Sequence, residues 1–391
     1  QRLVSNSLGV PEITRPVNVL VLGMSVLADD LDKSSAAIGN PGYQPEMHSV
    51  EGLSDTMLLL RFDPNAHKLT VLSIPRDTRV VIEQHGIQKI NAANVLGGSS
   101  LAAQEVSQLL NGVAIDRYVR VNVLAVGQIV DAIGGLTVYI PYDMKYKDDS
   151  QHLYINLKRG KQHLNGNQTM QLLRFRHDAN GDIGRIQRQQ MVMRALMAQA
   201  LNPTTLAKIP QLLETVKSDI DSNMSVEEIL ALVGFTAGTD RHQVLGLMVP
   251  GRPNGTGRGE ISYWLPDKER IGVMMAKYFQ QGEAGRLTAD STSLRVSIQD
   301  GSNNRQAVKA VMKKLAEAGY HHVSIGTPLP EPLRQTKIVA QQGDTDSAST
   351  ISQTLGFGEV SVETSGTLYS DVTIQLGTDA LKKLAVATPG V

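Results

Sequence analysis

Cysteine is absent from all 391 residues, which excludes disulfides, thiol nucleophiles and cysteine-ligated metals and leaves the redox compartment open. Neither sign of charge prevails. The 38 basic side chains balance 38 acidic ones, so no global field draws in a nucleic acid or an anionic membrane. Aromatic residues are few, with five Phe and one Trp, and no nucleic-acid motif accompanies them, which argues against nucleic-acid binding. The longest apolar stretch, VNVLVLGMSVLA at 17–28, is broken by Asn, Gly and Ser and falls short of the roughly 20 residues that span a bilayer. Nine histidines show no H-E-x-x-H or comparable spacing, and neither G-x-S-x-G nor a Walker motif occurs. The chain opens on Gln rather than Met, from which we expect an upstream signal or membrane anchor to have been removed.

What is present alternates. VNVLVLGM, TMLLLRFDP and KLTVLSIPRD read as three buried strands punctuated by Gly, Pro and Asn, with a long polar loop over 29–54 between the first two. SSLAAQEVSQLL (99–110) puts Leu101, Ala102, Val106, Leu109 and Leu110 on one helical face, and VNVLAVGQIVDAIGG (121–135) ends on glycines suited to a helix C-cap. A strand-like LTVYIP follows. Residues 185–201 form a strong helical pattern with Ile186, Val192, Leu196 and Met197 toward a core, and SVEEILALV opens with a capping box from Ser225 to Glu228. This alternation predicts an α/β sandwich. A small, polar stretch at 280–293 reads as a linker. Beyond it, strand, turn at Asp300-Gly301, helix and Gly319 are echoed by strand, Gly turn, helix, Gly and strand over 336–362, a small α/β domain of two related halves.

Guanidinium is concentrated in one place. RFRHDANGDIGRIQRQQ, residues 174–190, carries Arg174, Arg176, Arg185 and Arg188, and like charges this close repel unless something anionic joins them. If 185–201 is helical, Arg185, Arg188 and Gln189 stand at i, i+3 and i+4 on one face of its first turns. A helix N-terminus is itself an anion site, because its first N–H groups have no internal acceptors. Arg174 and Arg176, two apart, are expected on one side of an extended strand leading there. Forked donors from both elements suit a diphosphate better than a carboxylate. The competing reading pairs Asp178 and Asp182 with these arginines in surface salt bridges worth about 0–1 kcal/mol each. Two acids cannot neutralise four arginines.

A second constellation lies in GLSDTMLLLRFDPNAHKLTVLSIPRDT, where Asp55 precedes one buried strand and Arg76 and Asp77 follow another. Loops at strand ends are where α/β proteins bind ligands. A carboxylate beside a diphosphate is unfavourable without an intervening cation, so Asp55 suggests Mg²⁺ held by carboxylate and phosphate oxygens. The alternative for all three residues is ordinary turn capping.

VNVLVLGMS, GLSDTMLLLRFDP, LSIPRDTRV, QKINAANVLGG, VDAIGGLTVYIP and LLRFRHDANGDIGRIQRQQ, in this order, together resemble the LytR-CpsA-Psr family of bacterial envelope proteins over residues 17–285. Residues 292–380, after a linker at 286–291, are similar to the C-terminal domain often appended to them. The resemblance implies an αβα sandwich around a central mixed β-sheet. It also implies transfer of a glycosyl phosphate from a polyprenyl-diphosphate-linked glycan to peptidoglycan, in an extracytoplasmic protein held to the membrane by an N-terminal segment. By motif, Arg76, Arg174, Arg176, Arg185 and Gln189 fall on the family's diphosphate ligands, with Lys89 added from KIN and Asp55 on the metal-linked carboxylate. Asp77, Asp29 and Asp30 are candidate proton acceptors by location. Where the family's first strand ends in Gly-x-Asp this chain has Gly23-Met24-Ser25, leaving either Asp29 or Asp30 as replacements or a more weakly bound metal. A non-catalytic carrier of such lipids and a hydrolase that passes the phosphate to water are the rival readings.

Overall fold

The computed structural model describes residues 12–24, 52–149, 153–175, 188, 191–192, 195–196, 199, 219–254, 261–282, 293–367 and 370–384. The chain divides into two compact units. The first comprises Gln1–Leu69, Val81–Val106 and Ala114–Val244; the second Thr70–Val80, Ser107–Val113 and Leu245–Val391.

The three strands expected from their apolar runs form as β1 (Val17–Met24), β2 (Ser54–Asp63) and β3 (Lys68–Ile74). With β6 (Arg117–Asn122), β11 (Ile220–Ser222) and β12 (Val244–Met248) they make a six-stranded sheet in the order β11-β6-β1-β2-β3-β12. β1 runs antiparallel to β2, with Val19 opposite Leu60, and parallel to β6, with Val19 opposite Arg117. The sheet is therefore mixed. Neighbouring residues Leu58 and Leu59 of β2 point to opposite faces and both are buried, so this strand is covered on each side. Asp63 closes the turn out of β2, its carboxylate accepting from the N–H groups of Asn65 and Ala66 at 3.0 and 3.1 Å.

The short strands β4 (Arg79–Ile82) and β5 (Gly86–Lys89) pair and lead into α1, Ala93–Leu109. α1 is two helical segments joined across non-helical Gly97 and Gly98, the latter at φ 64°, where a glycine carries no steric cost, and the segment after the break is the helix read at 99–110. Ala102 and Val106 face inward as expected. α2 (Val123–Ala132) stops at Gly134 and Gly135, φ 86° and 94°, and Gly135 N–H returns to Val130 O at 2.8 Å.

Two antiparallel ribbons follow, β7 (Leu136–Ile140) with β10 (Gly160–Leu164) and β8 (Met144–Asp148) with β9 (Leu153–Leu157). α3 (Gly166–Arg174) comes next, capped by Asn165 in a reciprocal box with Gln168. A β-carbon on Gly166 would lie 2.2 Å from Gly127 O, so α2 and α3 cross backbone to backbone. Val130, Leu136, Ile155, Leu172, Phe175 and Val192 share the core beneath them. α4 (Val226–Gly238) carries the anticipated capping box, Ser225 Oγ accepting from Glu228 N–H at 3.2 Å and Glu228 from Ser225 N–H at 3.0 Å.

The second unit holds β12, β13 (Gly251–Pro253), β14 (Trp264–Pro266) and α5 (Lys268–Phe279). A five-stranded sheet follows in the order β16-β15-β19-β17-β18. β15 (Arg295–Asp300), α6 (Arg305–Glu317) and β16 (His322–Ile325) form one parallel β-α-β unit; β17 (Lys337–Val339), α7 (Thr345–Leu355) and β18 (Glu359–Ser361) form the other. They flank β19 (Val372–Leu376), whose five residues are all buried, and the short α8 (Asp379–Lys383) closes the domain. The two halves read in the sequence are these two units.

Candidate functional site

In the first unit, Asp55 owes its setting to a break in register. Gly23 pairs with Thr56 and Met24 with Ser54, so Asp55 is the extra residue of a bulge at the end of the β1–β2 ladder. Bulges bend a strand and re-aim a side chain. Its exposure is 7%. Two buried asparagines of the KINAANV block hold this end of β2: Asn94 Nδ2 donates to Gly52 O at 2.8 Å, and Asn91 O accepts from Ser54 Oγ at 3.4 Å. The sequence reading singled out only Lys89 in that block. An Asn buried at the start of an apolar helix was the available signal. Lys89 ends β5 and is half-buried.

Arg174 is the last residue of α3 and is exposed. This corrects the expectation of an extended strand there: the Asn165–Gln168 capping box starts a helix whose Thr169 and Leu172 turn inward. A cation at a helix C-terminus also complements the macrodipole. Phe175, the C-cap, is buttressed by Arg188, whose Nη2 donates to Phe175 O and whose guanidinium lies 5.5 Å from the ring centroid. Arg188 is 3% exposed and shares its helical face with the buried Val192. Arg176, Arg185 and Gln189 lie outside the described residues, as do Ile186, Met197, Ser25, Asp29 and Asp30.

In the second unit, Arg76 and Asp77 occupy the two central positions of a tight turn. Thr78 N–H donates to Pro75 O at 2.9 Å and the Thr78 hydroxyl donates to the same oxygen, closing a four-residue turn from Pro75 to Thr78. Arg76 Nε lies 3.7 Å from Asp77 Oδ2, with side-chain exposures of 14% and 26%. Asp77 O accepts from Trp264 N–H at 2.9 Å, so β14 pins the turn from outside.

A divalent cation is a test of the donor set. Among the described residues no group of three His, Asp or Glu comes together. Magnesium retains several waters and is bound through one or two carboxylates plus substrate phosphates, so Asp55 suits it only as partner to a phosphorylated ligand.

A mixed-sheet α/β protein with a bulged carboxylate at one strand end and an arginine-bearing turn at another falls in the α/β class, whose ligands bind at strand ends. This chain belongs to the LytR-CpsA-Psr family: the model described as LytR_cpsA_psr family matches residues 3–280, and that described as LytR cell envelope-related transcriptional attenuator matches 293–379. Among curated relatives, the polyisoprenyl-teichoic acid–peptidoglycan teichoic acid transferase TagV of Bacillus subtilis is 32% identical over 228 residues, 56% of this chain and 58% of the relative. The match therefore spans less than two thirds of TagV. The transferase TagU of Oceanobacillus iheyensis is 30% identical over 265 residues, 65% of this chain and 72% of the relative. The crystal structure of B. subtilis TagV is similar at a TM-score of 0.55 and 26% identity, covering 69% of this chain and all (100%) of that one.

Proposed function

We propose that this protein transfers a glycosyl phosphate from a polyprenyl-diphosphate-linked glycan to peptidoglycan. Membership of the LytR-CpsA-Psr family carries this reading, because relatives sharing it are named as transferases between a polyisoprenyl-linked polymer and peptidoglycan. In the proposed reaction an acceptor hydroxyl oxygen forms a bond to the sugar-bearing phosphorus, the phosphoanhydride P–O bond breaks, and polyprenyl phosphate leaves with the electron pair. Asp77 receives the hydroxyl proton. Arg76, Lys89, Arg174, Arg176, Arg185 and Gln189 bind the diphosphate, whose charge builds on its non-bridging oxygens in a loose transition state. Arg188 acts behind them by holding Phe175 and hence the end of α3.

Asp55 would hold Mg²⁺, which when bound neutralises phosphate charge. The proposed location is extracytoplasmic, with a membrane anchor preceding Gln1. Among the described residues no helix is long and apolar enough to cross a membrane.

The test is transfer of a radiolabelled lipid-linked glycan to peptidoglycan fragments. Arg76→Ala and Asp55→Asn are each expected to lower the rate by at least about 100-fold, the scale of losing one oxyanion-stabilising group. Full transfer by both variants would refute the assignment. Label released as free glycosyl phosphate without acceptor would instead favour the hydrolase, and tight binding without turnover the carrier. Chelation with EDTA is expected to stop transfer and added Mg²⁺ to restore it.

A further inference from the structure

We infer that Asp371, buried just before β19 of the C-terminal sheet, is a positioning residue for the Arg76–Asp77 turn, so that the appended domain forms part of the transfer site's support. Asp371 begins the approach to β19, and its side chain is 4% exposed. It gathers two arginines distant in sequence: Arg295 of β15 through three donors, the backbone N–H at 2.9 Å, Nε at 3.1 Å and Nη2 at 2.7 Å, and Arg270 of α5 through Nη1 at 2.5 Å. Arg295 Nη2 donates onward to Gly251 O at 3.0 Å. Gly251 lies in the β13–β14 ribbon, where Pro253 pairs with Trp264. Trp264 N–H then reaches Asp77 O, and Trp264 bridges Thr78.

A parallel strap runs along β12 and its continuation. Gly246 and Met248 donate to Val362 O and Gln341 O of the C-terminal domain at 3.0 and 2.8 Å, while the next residue, Val249, donates to Ser73 O at 3.0 Å. Ser73 stands two residues before Pro75. Close approach is required along this path. A β-carbon on Gly246 would lie 2.9 Å from Thr364 N, and one on Gly251 2.5 Å from Trp264 Nε1. Every link from Asp371 to Asp77 lies within the second compact unit. Buried arrangements of this kind transmit displacement because packed, bonded elements do not yield gradually.

The inference rests on the proposed role of Arg76, and the experiment separates the two. Trp264 is the only tryptophan in the chain, so its emission and its quenching by acrylamide report on the path without reference to activity. In the full chain, Asp371→Asn is expected to raise acrylamide quenching of Trp264. It should also weaken binding of geranylgeranyl diphosphate about tenfold, within the usual range of inter-site coupling. In an Arg76→Ala background the same change should add no further loss of affinity.

Asp379→Asn is the control for simple destabilisation, because Asp379 accepts from Thr336 N–H and hydroxyl at 2.9 and 2.7 Å in the same domain and is not on the path. It should lower the melting temperature and leave Trp264 quenching and diphosphate affinity as they were. Unchanged quenching in Asp371→Asn, equal effects from Asp379→Asn, or an additive loss with Arg76→Ala would each overturn the inference. If Arg76→Ala alone binds the probe normally, the proposed role of Arg76 fails, and the Trp264 readout still decides whether Asp371 positions the turn.

Discussion

The bulge at Asp55 removes one residue from the β1–β2 ladder and gives its carboxylate a direction a regular strand would not. Gly23 stands beside it, and a β-carbon there would meet the Thr56 side chain at 3.1 Å, so the small residue keeps the two strands close where the register changes. Arg188 shows the opposite use of a cation. Sequence spacing grouped it with Arg185 and Gln189, yet its guanidinium is buried on Phe175. Arg188→Ala would leave the Phe175 carbonyl without this donor and empty the space over the ring. We expect a loss of about 2–3 kcal/mol, typical of a hydrogen bond to a charged group plus a cation–π contact, measured by urea denaturation. A stability within about 0.5 kcal/mol of the parent, the spread of neutral surface changes, would show that Arg188 does not buttress α3.

At the scale of elements, local signals and outcome agree wherever the deciding partner is near in sequence. The capping box at Ser225 formed because Glu228 is three residues away, and Arg117 then adopted the same carboxylate. The Arg117 hydrogen bond, with that from Ser225 N–H, holds Glu228 below the usual carboxylate range. The box at Asn165 is equally local, but the two-residue spacing of Arg174 and Arg176 mimics a strand. Its helix sets where Arg174 stands. Asn165→Ala and Ser225→Ala are each expected to lower stability by about 1 kcal/mol, and together by the sum. Melting curves of the two single variants and the double variant check this. A double variant no worse than either single would mean that the two helices do not contribute independently.

Across the whole molecule, buried ion pairs join segments far apart in sequence. Arg270 and Asp371 are 101 residues apart, and no pattern in either segment points to the other. Burial would raise the Asp371 carboxyl, but the Arg295 hydrogen bonds and the charges of Arg270 and Arg295 outweigh it and hold the group below its ordinary range. A depressed carboxyl contributes stability above its unfolded value, about 3.9. That contribution is lost as pH falls through the folded value.

Tyr278 acts at the alkaline end. Burial, aided by the Asp344 charge, pushes its hydroxyl up to about 12, and it donates to Gly343 O at 2.9 Å. Its contribution is complete below about 10 and disappears as pH rises through the folded value. Melting temperature against pH should therefore fall at both ends. Asp371→Asn should flatten the acid limb and Tyr278→Phe the alkaline one, and limbs unchanged by these substitutions would contradict both assignments.

By itself the sequence determined the alternation of strands and helices, the halves of the C-terminal domain, the caps and the family motifs. Each depends on side-chain periodicity or on partners within a few residues. Only the tertiary structure decided that Asp55 sits in a bulge, that Arg188 turns to the core, and that Trp264 joins the Arg76 turn to a ribbon reached by Arg295. Those outcomes depend on register and burial between segments tens to hundreds of residues apart. Such terms arise only once the chain has closed on itself.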